Sequence, residues 1–249
     1  MHYCDSNHPR ILQLAFELSQ KGEHEIDRFE HIFYYVRDHI LFGFPPKFDR
    51  VCASESLDYG IGYCNSKSIL MVALCRAAGL PARLHAGLID SRIMSGIIPG
   101  WMLRLLPEYI SHLWVEVHLK DGWHPVDAHI LDYRFFQAAQ THLSDATTDI
   151  GFGVAYLLPT CDGDWEGGFV QTNAVVEDHG TWNKATDYFE SSDYMGLNWW
   201  QRLAYPLVRG ISNRRIRRIR AEMANREKKT IPSETREEPV EMGESITNY

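Results

Sequence analysis

The sequence predicts an α+β fold in which N-terminal helices pack against an antiparallel sheet. Two segments near the N-terminus, residues 9–21 and 25–40, carry apolar residues at helical spacing. Further along the chain, alternating polar and apolar residues from 112 to 119 predict a strand, and Asp121-Gly122 predicts a hairpin turn after it. Between these regions, a third helix is predicted directly after a glycine-containing turn.

This third helix begins at Cys64, after the turn Tyr59-Gly60-Ile61-Gly62-Tyr63, and Gly79 marks its end. Its apolar residues recur at helical spacing: Leu70, Ala73, Leu74 and Ala77. A thiol in the first turn lies near the positive end of the helix dipole and near unpaired N–H groups, and both favour the thiolate. The position therefore predicts a cysteine nucleophile, and the alternative is that Cys64 is a small buried apolar residue.

Composition excludes several classes of function. The 249 residues suit one domain with appendages, and 45% hydrophobic and 23% charged residues are ordinary for a globular protein. The net charge of −8 argues against a generic nucleic-acid binder. The N-terminus lacks the pattern of a signal peptide, and charges interrupt the apolar region 88–110, so no transmembrane segment is expected. Five cysteines without a CxxC pair favour a reducing cytoplasm.

The predicted hairpin raises a question of register. In the strand from His112, alternation places the histidine on one face and Leu113, Val115, Val117 and Leu119 on the face toward the core. A tight turn at Asp121-Gly122 sets Asp127 opposite Glu116, about 13 Å along the strand from His112. A hydrogen bond between His112 and Asp127 then requires a bulge, a wider loop or a bend.

The order of these motifs resembles that of a known family. A cysteine at a helix start, a histidine opening one strand and an aspartate ending the next are similar to the transglutaminase-like superfamily. That group includes the arylamine N-acetyltransferases and is distantly papain-like. The resemblance covers roughly residues 30–130 and includes Tyr35-Val36-Arg37-Asp38 and Arg76-Ala77-Ala78-Gly79-Leu80-Pro81-Ala82-Arg83.

The resemblance implies a catalytic triad of Cys64, His112 and Asp127 acting through an acyl-thioester. Substrates of this class are peptides or small-molecule amides, and the acyl group passes to water or to an amine. The backbone N–H of Cys64 is the expected oxyanion donor, with Tyr59 or the backbone beside Asp58 as suggestions for a second. The alternative is a catalytically inactive binding or interaction module on the same fold.

Other cysteines and histidines compete for these roles. Cys52, which we expect to have no helix after it, and Cys75, deep in the predicted helix, are interpreted as structural. The nearby candidates for the base are His118, His124 and His129, but only His112 opens a strand in an H-x-W pattern. A zinc site among His85, His112, His118 and His124 lacks any HExxH or paired-cysteine spacing, so no metal or cofactor is expected.

Outside the shared motifs, the segment 90–111 is rich in large apolar residues. It is interpreted either as a lid or substrate wall over the thiol, or as a subsidiary packing element. After residue 128, we expect a helix at 131–142, a short strand within 151–160, and loops from 161 to 195.

The C-terminal region is basic, with ten Arg or Lys residues between 197 and 231 against Glu222 and Glu227. We predict a domain of residues 1–211 followed by a basic helix and tail, 212–249, disordered from residue 232. Residues 199–207 are expected to dock on the domain and 212–229 to project toward an acidic partner or an anionic membrane surface, with Pro206 at a bend. Deletion of 212–249 is then expected to spare solubility. The alternative is that the apolar side of the helix packs on the domain.

Overall fold

The computed structural model describes residues 3–155, 162–166 and 169–230. The helices in these residues are α1 (Pro9–Ser19), α2 (Glu25–His39), α3 (Ala53–Tyr59), α4 (Cys64–Ala77), α5 (Gly100–Leu103), α6 (Tyr133–Ala146), α7 (Ala185–Phe189) and α8 (Trp199–Thr230). The strands are β1 (Leu41–Phe42), β2 (Ile61–Gly62), β3 (Ala82–Asp90), β4 (Tyr109–Leu119), β5 (Gly122–Val126), β6 (Ile150–Gly151), β7 (Val154–Ala155) and β8 (Val175–Trp182). The predicted helices at α1, α2, α4 and α6 are confirmed.

The main sheet is antiparallel, with strand order β5-β4-β3-β8. Helix α4 is the central element of the core: it contacts α1, α2 and α3 on one side and β4 on the other. Its side chains are buried from Asn65 through Cys75, because neighbours cover it on every side. Helices packed on an antiparallel sheet confirm the α+β class.

The hairpin between β4 and β5 has a different register from the predicted one. Leu119 pairs with Gly122 and Val115 with Val126, so the two-residue turn is Lys120-Asp121 rather than Asp121-Gly122. Continuing this register places Asp127 level with Trp114, two residues or about 7 Å from His112 along the strand. The 13 Å separation was therefore wrong, and no bulge is needed to bring Asp127 nearer to the histidine.

Strand β4 confirms the predicted alternation, since Leu113, Val115, Val117 and Leu119 are all buried. His112 is the fourth residue of the strand, however, and does not open it. His112 and Trp114, on the opposite face, are also buried. One reason is a stack of rings on that face: Trp114 packs between His112 and His85.

Two expectations about loops were wrong. The region 161–195 contains β8, which pairs with β3 at the edge of the sheet, and the short helix α7. Cys52 is followed by a helix: it is the N-cap of α3, and its backbone N–H donates to Glu55 at 3.0 Å. A short hairpin of β6 and β7 supplies strand structure near the start of 151–160, while residues 156–160 lie outside the described residues.

Helix α8 docks in the opposite way to the prediction. It is one helix with Pro206 inside it, and the predicted boundary at 211 falls within it. Ser212, Ile216 and Ile219 are buried against the domain, whereas Trp199, Leu203 and Leu207 are exposed. Contacts in the second half of the helix hold this side against the domain. Asn213 accepts the backbone N–H of Phe44 at 2.8 Å, and Arg220 pairs with buried Asp132 at 2.5 Å. The tail 231–249, with its predicted disorder, lies outside the described residues.

Candidate active site

The turn before α4 fixes the position of Cys64. Gly62 is the last residue of β2, which pairs in parallel with β1, and Cys64 is the first residue of α4. A Cβ on Gly62 would lie 2.7 Å from the Ser66 hydroxyl oxygen and 2.8 Å from Lys67 Cγ, so the turn requires glycine. The Ser66 hydroxyl accepts the backbone N–H of Tyr63 at 3.0 Å and caps the helix start. The predicted placement of Cys64 at a helix N-terminus is confirmed.

The surroundings of the thiol exert opposing effects on its pKa. Burial raises the pKa of the Cys64 thiol to about 12, and the negative charge of Asp49 adds to this effect. Backbone N–H groups of Leu113, Asn65 and Cys64 itself donate to the sulfur and lower its pKa, but by less. The thiol donates to Asn65 Oδ1 at 3.4 Å. This environment favours a neutral thiol in the resting protein, in contrast to the thiolate expected from the helix start alone.

His112 lies on the strand that crosses α4. The Ser68 hydroxyl of α4 donates to the carbonyl oxygen of Leu113 at 3.1 Å, which holds this part of β4 against the helix. Burial lowers the pKa of His112 to about 3, so its imidazole is neutral. Its Nε2 is buried and makes no hydrogen bond within the described part of the chain. The side chains of His112 and Cys64 line the same cavity.

Asp127 is buried directly after β5, at the start of a 3-10 turn formed by Ala128–Ile130. Its Oδ1 accepts the backbone N–H of Val170 at 2.8 Å, and its Oδ2 accepts that of Gln171 at 2.7 Å. Gln171 in turn lines the cavity. These bonds give Asp127 a structural role in the cavity wall, and its role toward His112 stays a prediction.

The cavity itself is mainly apolar. Its polar lining includes Cys64, Asn65, His112, Asp49 and Gln171. Large apolar side chains make up most of the remaining wall: Phe42, Phe44, Phe48, Ile89, Ile93, Met94, Ile98, Leu106, Ile110, Met195, Leu197 and Val208. Five of these belong to the segment 90–111, which therefore forms one wall of the cavity. Contact of that wall with a substrate stays a prediction.

Sequence reasoning missed the carboxylate beside the thiol. Asp49 is buried and accepts hydrogen bonds from the hydroxyls of Tyr63 and Tyr194 and, at 2.7 Å, from Asn65 Nδ2. Burial raises the pKa of Asp49 to about 6, although the bonds from Tyr194 and Asn65 lower it. Asn65 thus connects Asp49 to the thiol. The only sequence signal was an aspartate in the loop 42–50 that leads toward the cysteine.

The other candidate histidines have different partners. His85 contacts Glu116 and Asp178 at 2.8 and 2.7 Å, and His124 contacts Asp121 at 2.7 Å. Buried His129 contacts the Ser68 hydroxyl at 3.1 Å. In the part of the chain that the structure describes, no three His, Cys, Asp or Glu side chains form a group that could hold a metal ion.

The helices and the sheet form an α+β fold around the turn that precedes Cys64. Residues 12–128, nearly half of the chain, match the family model described as the transglutaminase-like superfamily. This part of the chain belongs to that superfamily, as the sequence motifs predicted.

Among curated proteins, the uncharacterized protein YebA of Bacillus subtilis (strain 168) is 27% identical over 133 residues. The match covers 49% of this chain and 18% of YebA, so the chain spans less than a fifth of that relative's length.

Two solved structures are similar to parts of this chain. A putative cysteine protease from Cytophaga hutchinsonii has a TM-score of 0.46 and 18% identity, covering 75% of this chain and 46% of that one. The periplasmic domain of TgpA from Pseudomonas aeruginosa has a TM-score of 0.36 and 24% identity. This match covers 48% of the present chain and 43% of the TgpA domain. Within the described residues of the present chain, no helix has the length and apolar character to cross a membrane.

Proposed function

We propose that the chain is a cysteine-dependent acyl-transfer enzyme in which Cys64 is the nucleophile and His112 the general base. The observation that carries this proposal is that a thiol at a helix start and an imidazole with an unpaired, buried Nε2 line one cavity. Groups that share a mainly apolar cavity can exchange a proton when a substrate brings them together.

The neutral state of both groups suggests how the reaction begins. The Cys64 thiol gives its proton to His112 as the sulfur attacks the carbonyl carbon of an amide. His112 then passes this proton to the leaving nitrogen as the carbon–nitrogen bond breaks, which leaves an acyl-thioester on Cys64. Water or an amine attacks the thioester and regenerates the thiol. During attack, the backbone N–H of Cys64 at the helix start stabilises the oxyanion.

Asp127 has two parts in this mechanism. It fixes the tautomer of His112 and stabilises the imidazolium that forms during attack. It also holds residues 170–171, and with them the Gln171 wall of the cavity. Asp127→Asn is therefore expected to lower turnover by orders of magnitude, up to ~10⁴-fold as in serine-protease triads. It should also cost measurable stability.

The test is a screen of peptide and small-molecule amides in which intact-mass spectrometry detects an acyl-thioester. An adduct that forms with wild type and with Cys52→Ala, but not with Cys64→Ala, supports the proposal. His112→Gln should slow adduct formation by about 10²- to 10⁴-fold while leaving the thiol present.

The second candidate function, a non-catalytic binding module on the same fold, predicts a different result. Cys64→Ala then binds the same ligands as wild type, and no thioester accumulates with either protein. An adduct that persists in Cys64→Ala would show that another residue is the nucleophile.

A further inference from the structure

The solvent-facing side of α8 begins with an apolar stripe. Trp199, Leu203 and Leu207 follow one another at four-residue spacing and are 75%, 74% and 63% exposed. The opposite side of the helix, with Tyr205, Ile216 and Ile219, is buried against the domain. The stripe therefore buries little of its apolar surface against the domain, in contrast to the opposite side of the helix.

The segment 90–111 extends this surface. Trp101 and Leu105, on and just after α5, are exposed, and together with Trp200 and Leu207 they line a groove between α5 and α8. We call Trp101, Leu105, Trp199, Leu203 and Leu207 the apolar patch. Contiguous exposed patches of large apolar side chains mark interaction surfaces rather than ordinary solvated surface.

The same side of α8 becomes basic two turns further along. At 100° per residue, Arg214, Arg217 and Arg218 lie within about 60° of the line through Trp199, Leu203 and Leu207, and all three arginines are exposed. Residues 194–221 contain seven arginines and no Asp or Glu, so the rest of the sequence carries a net charge of −15. Positive charge is thus concentrated beside the apolar patch in an otherwise acidic chain.

We propose that this face of α8, with the apolar patch, docks on the surface of an anionic lipid bilayer. Tryptophan and leucine insert at the boundary between headgroups and acyl chains, while arginines contact lipid phosphates. A helix of this kind lies in the plane of the membrane. A second copy of the chain packed on this face would bring like-charged arginine rows together. Their repulsion disfavours a dimer through this face.

Docking in this orientation has a consequence for the cavity. Ile98, Leu106 and Tyr205 line both the groove beside the apolar patch and the cavity that contains Cys64. A docked chain therefore brings the wall that the groove and the cavity share close to lipid, and an amide substrate carried in a membrane would reach Cys64 past that wall. This consequence rests on the proposed function, whereas the docking itself does not.

The experiment is flotation of the full chain with vesicles of phosphatidylcholine alone and of equal parts phosphatidylcholine and phosphatidylglycerol. Wild type should float with the anionic vesicles, more strongly at low salt. The triple variant Trp199→Ser, Leu203→Ser, Leu207→Ser should lose binding. The double variant Arg214→Gln, Arg217→Gln should bind about 25-fold more weakly, at about fivefold for each arginine.

Phe16→Ser removes an exposed aromatic side chain of α1, outside the patch, and should leave binding unchanged. Circular dichroism of every variant checks that the fold is retained. The proposal is overturned if wild type fails to float with anionic vesicles at low salt, or if the triple variant floats as well as wild type. It is equally overturned if sedimentation velocity shows a dimer that the triple variant abolishes and wild type binds no vesicles.

Discussion

Replacing Arg220 by methionine tests how α8 is held on the domain. The guanidinium and its partner Asp132 are 14% and 4% exposed, so they form a nearly buried ion pair. Arg220 Nε donates to Asp132 Oδ1 at 2.9 Å, and Nη2 also donates to the carbonyl oxygen of Phe42 at 3.0 Å. Asp132 accepts the backbone N–H groups of Phe42 and Phe135 as well. One carboxylate therefore connects β1, the start of α6 and α8.

Methionine keeps the length of the side chain but leaves the carboxylate buried without its cation. Removing one partner of a buried ion pair costs about 3–5 kcal/mol of the free energy of unfolding. Urea denaturation at pH 7 measures this loss. The matched control is Arg218→Met on the same helix, whose side chain is 82% exposed in a surface pair with Glu222. That change should alter the free energy of unfolding by no more than about 0.5 kcal/mol.

The pH dependence of the loss follows from the pKa of Asp132. Burial raises this pKa, but the hydrogen bond and charge of Arg220, together with the charge of Lys67 and the backbone N–H of Phe42, hold it below its ordinary value. The pair therefore stabilises wild type above about pH 4, the unfolded pKa, and this contribution disappears as pH falls through the folded pKa. Without Arg220, only the charge of Lys67 and the backbone N–H groups oppose burial, so the pKa of Asp132 rises relative to wild type and the folded state is less stable at neutral pH.

The difference in stability between wild type and Arg220→Met should thus be largest near pH 7 and shrink toward pH 4. Two results would refute the reasoning: a loss for Arg220→Met no greater than that for Arg218→Met, or a loss that does not change with pH.

Three further predictions concern other parts of the molecule. Ending the chain at residue 211 removes Ile216, Ile219 and Arg220 from the packed face of α8, so soluble yield should collapse, against our expectation from sequence. Ending it at 230 should change neither yield nor Tm, and equal behaviour of the two truncations would contradict the packing described. Gly87→Ala places a Cβ 2.5 Å from the Glu177 carbonyl oxygen, so it should cost about 1–3 kcal/mol in urea denaturation, and an unchanged midpoint would be inconsistent with this contact. Alkylation of Cys64 by iodoacetamide should be slow at pH 7 and rise about tenfold per pH unit up to pH 9, because burial raises the thiol pKa. A rate already at its plateau below pH 7 would mean that a thiolate–imidazolium pair exists before substrate binds.

The sequence was most informative where one local pattern decides the structure. The helix from Cys64 is an example: a glycine turn, a helical apolar pattern and Gly79 all act within a short segment, and Gly79 has the left-handed φ of +79° expected of a helix stop. Asp121-Gly122 correctly indicated a hairpin. It did not reveal which two residues form the turn, and moving the turn by one position shifts every pairing of the strands by two residues.

Other features depend on partners far away in sequence. The apolar residues of 199–207 occupy two sides of a helix, and nothing local shows which side is buried. The buried side is determined by two long-range contacts. Asn213 bonds to Phe44, 169 residues earlier, and Arg220 bonds to Asp132, 88 residues earlier. Strand β8 has mostly exposed or half-buried residues and no clear alternation, so only its pairing with β3 identifies it as a strand. The position of Asp49 also could not be predicted locally, because its proximity to the thiol arises from tertiary structure.

The ion pair between Asp132 and Arg220 also sets an order of events during synthesis. Arg220 follows Asp132 by 88 residues. At a synthesis rate of about 5–20 residues per second, Arg220 is therefore added about 4–18 s after Asp132. Throughout that interval, the nascent chain lacks the part of α8 that carries the cation for Asp132. Completion of the described fold therefore depends on one of the last described elements to leave the ribosome, and a ribosome stalled before residue 220 holds a chain in which Asp132 lacks its ion-pair partner.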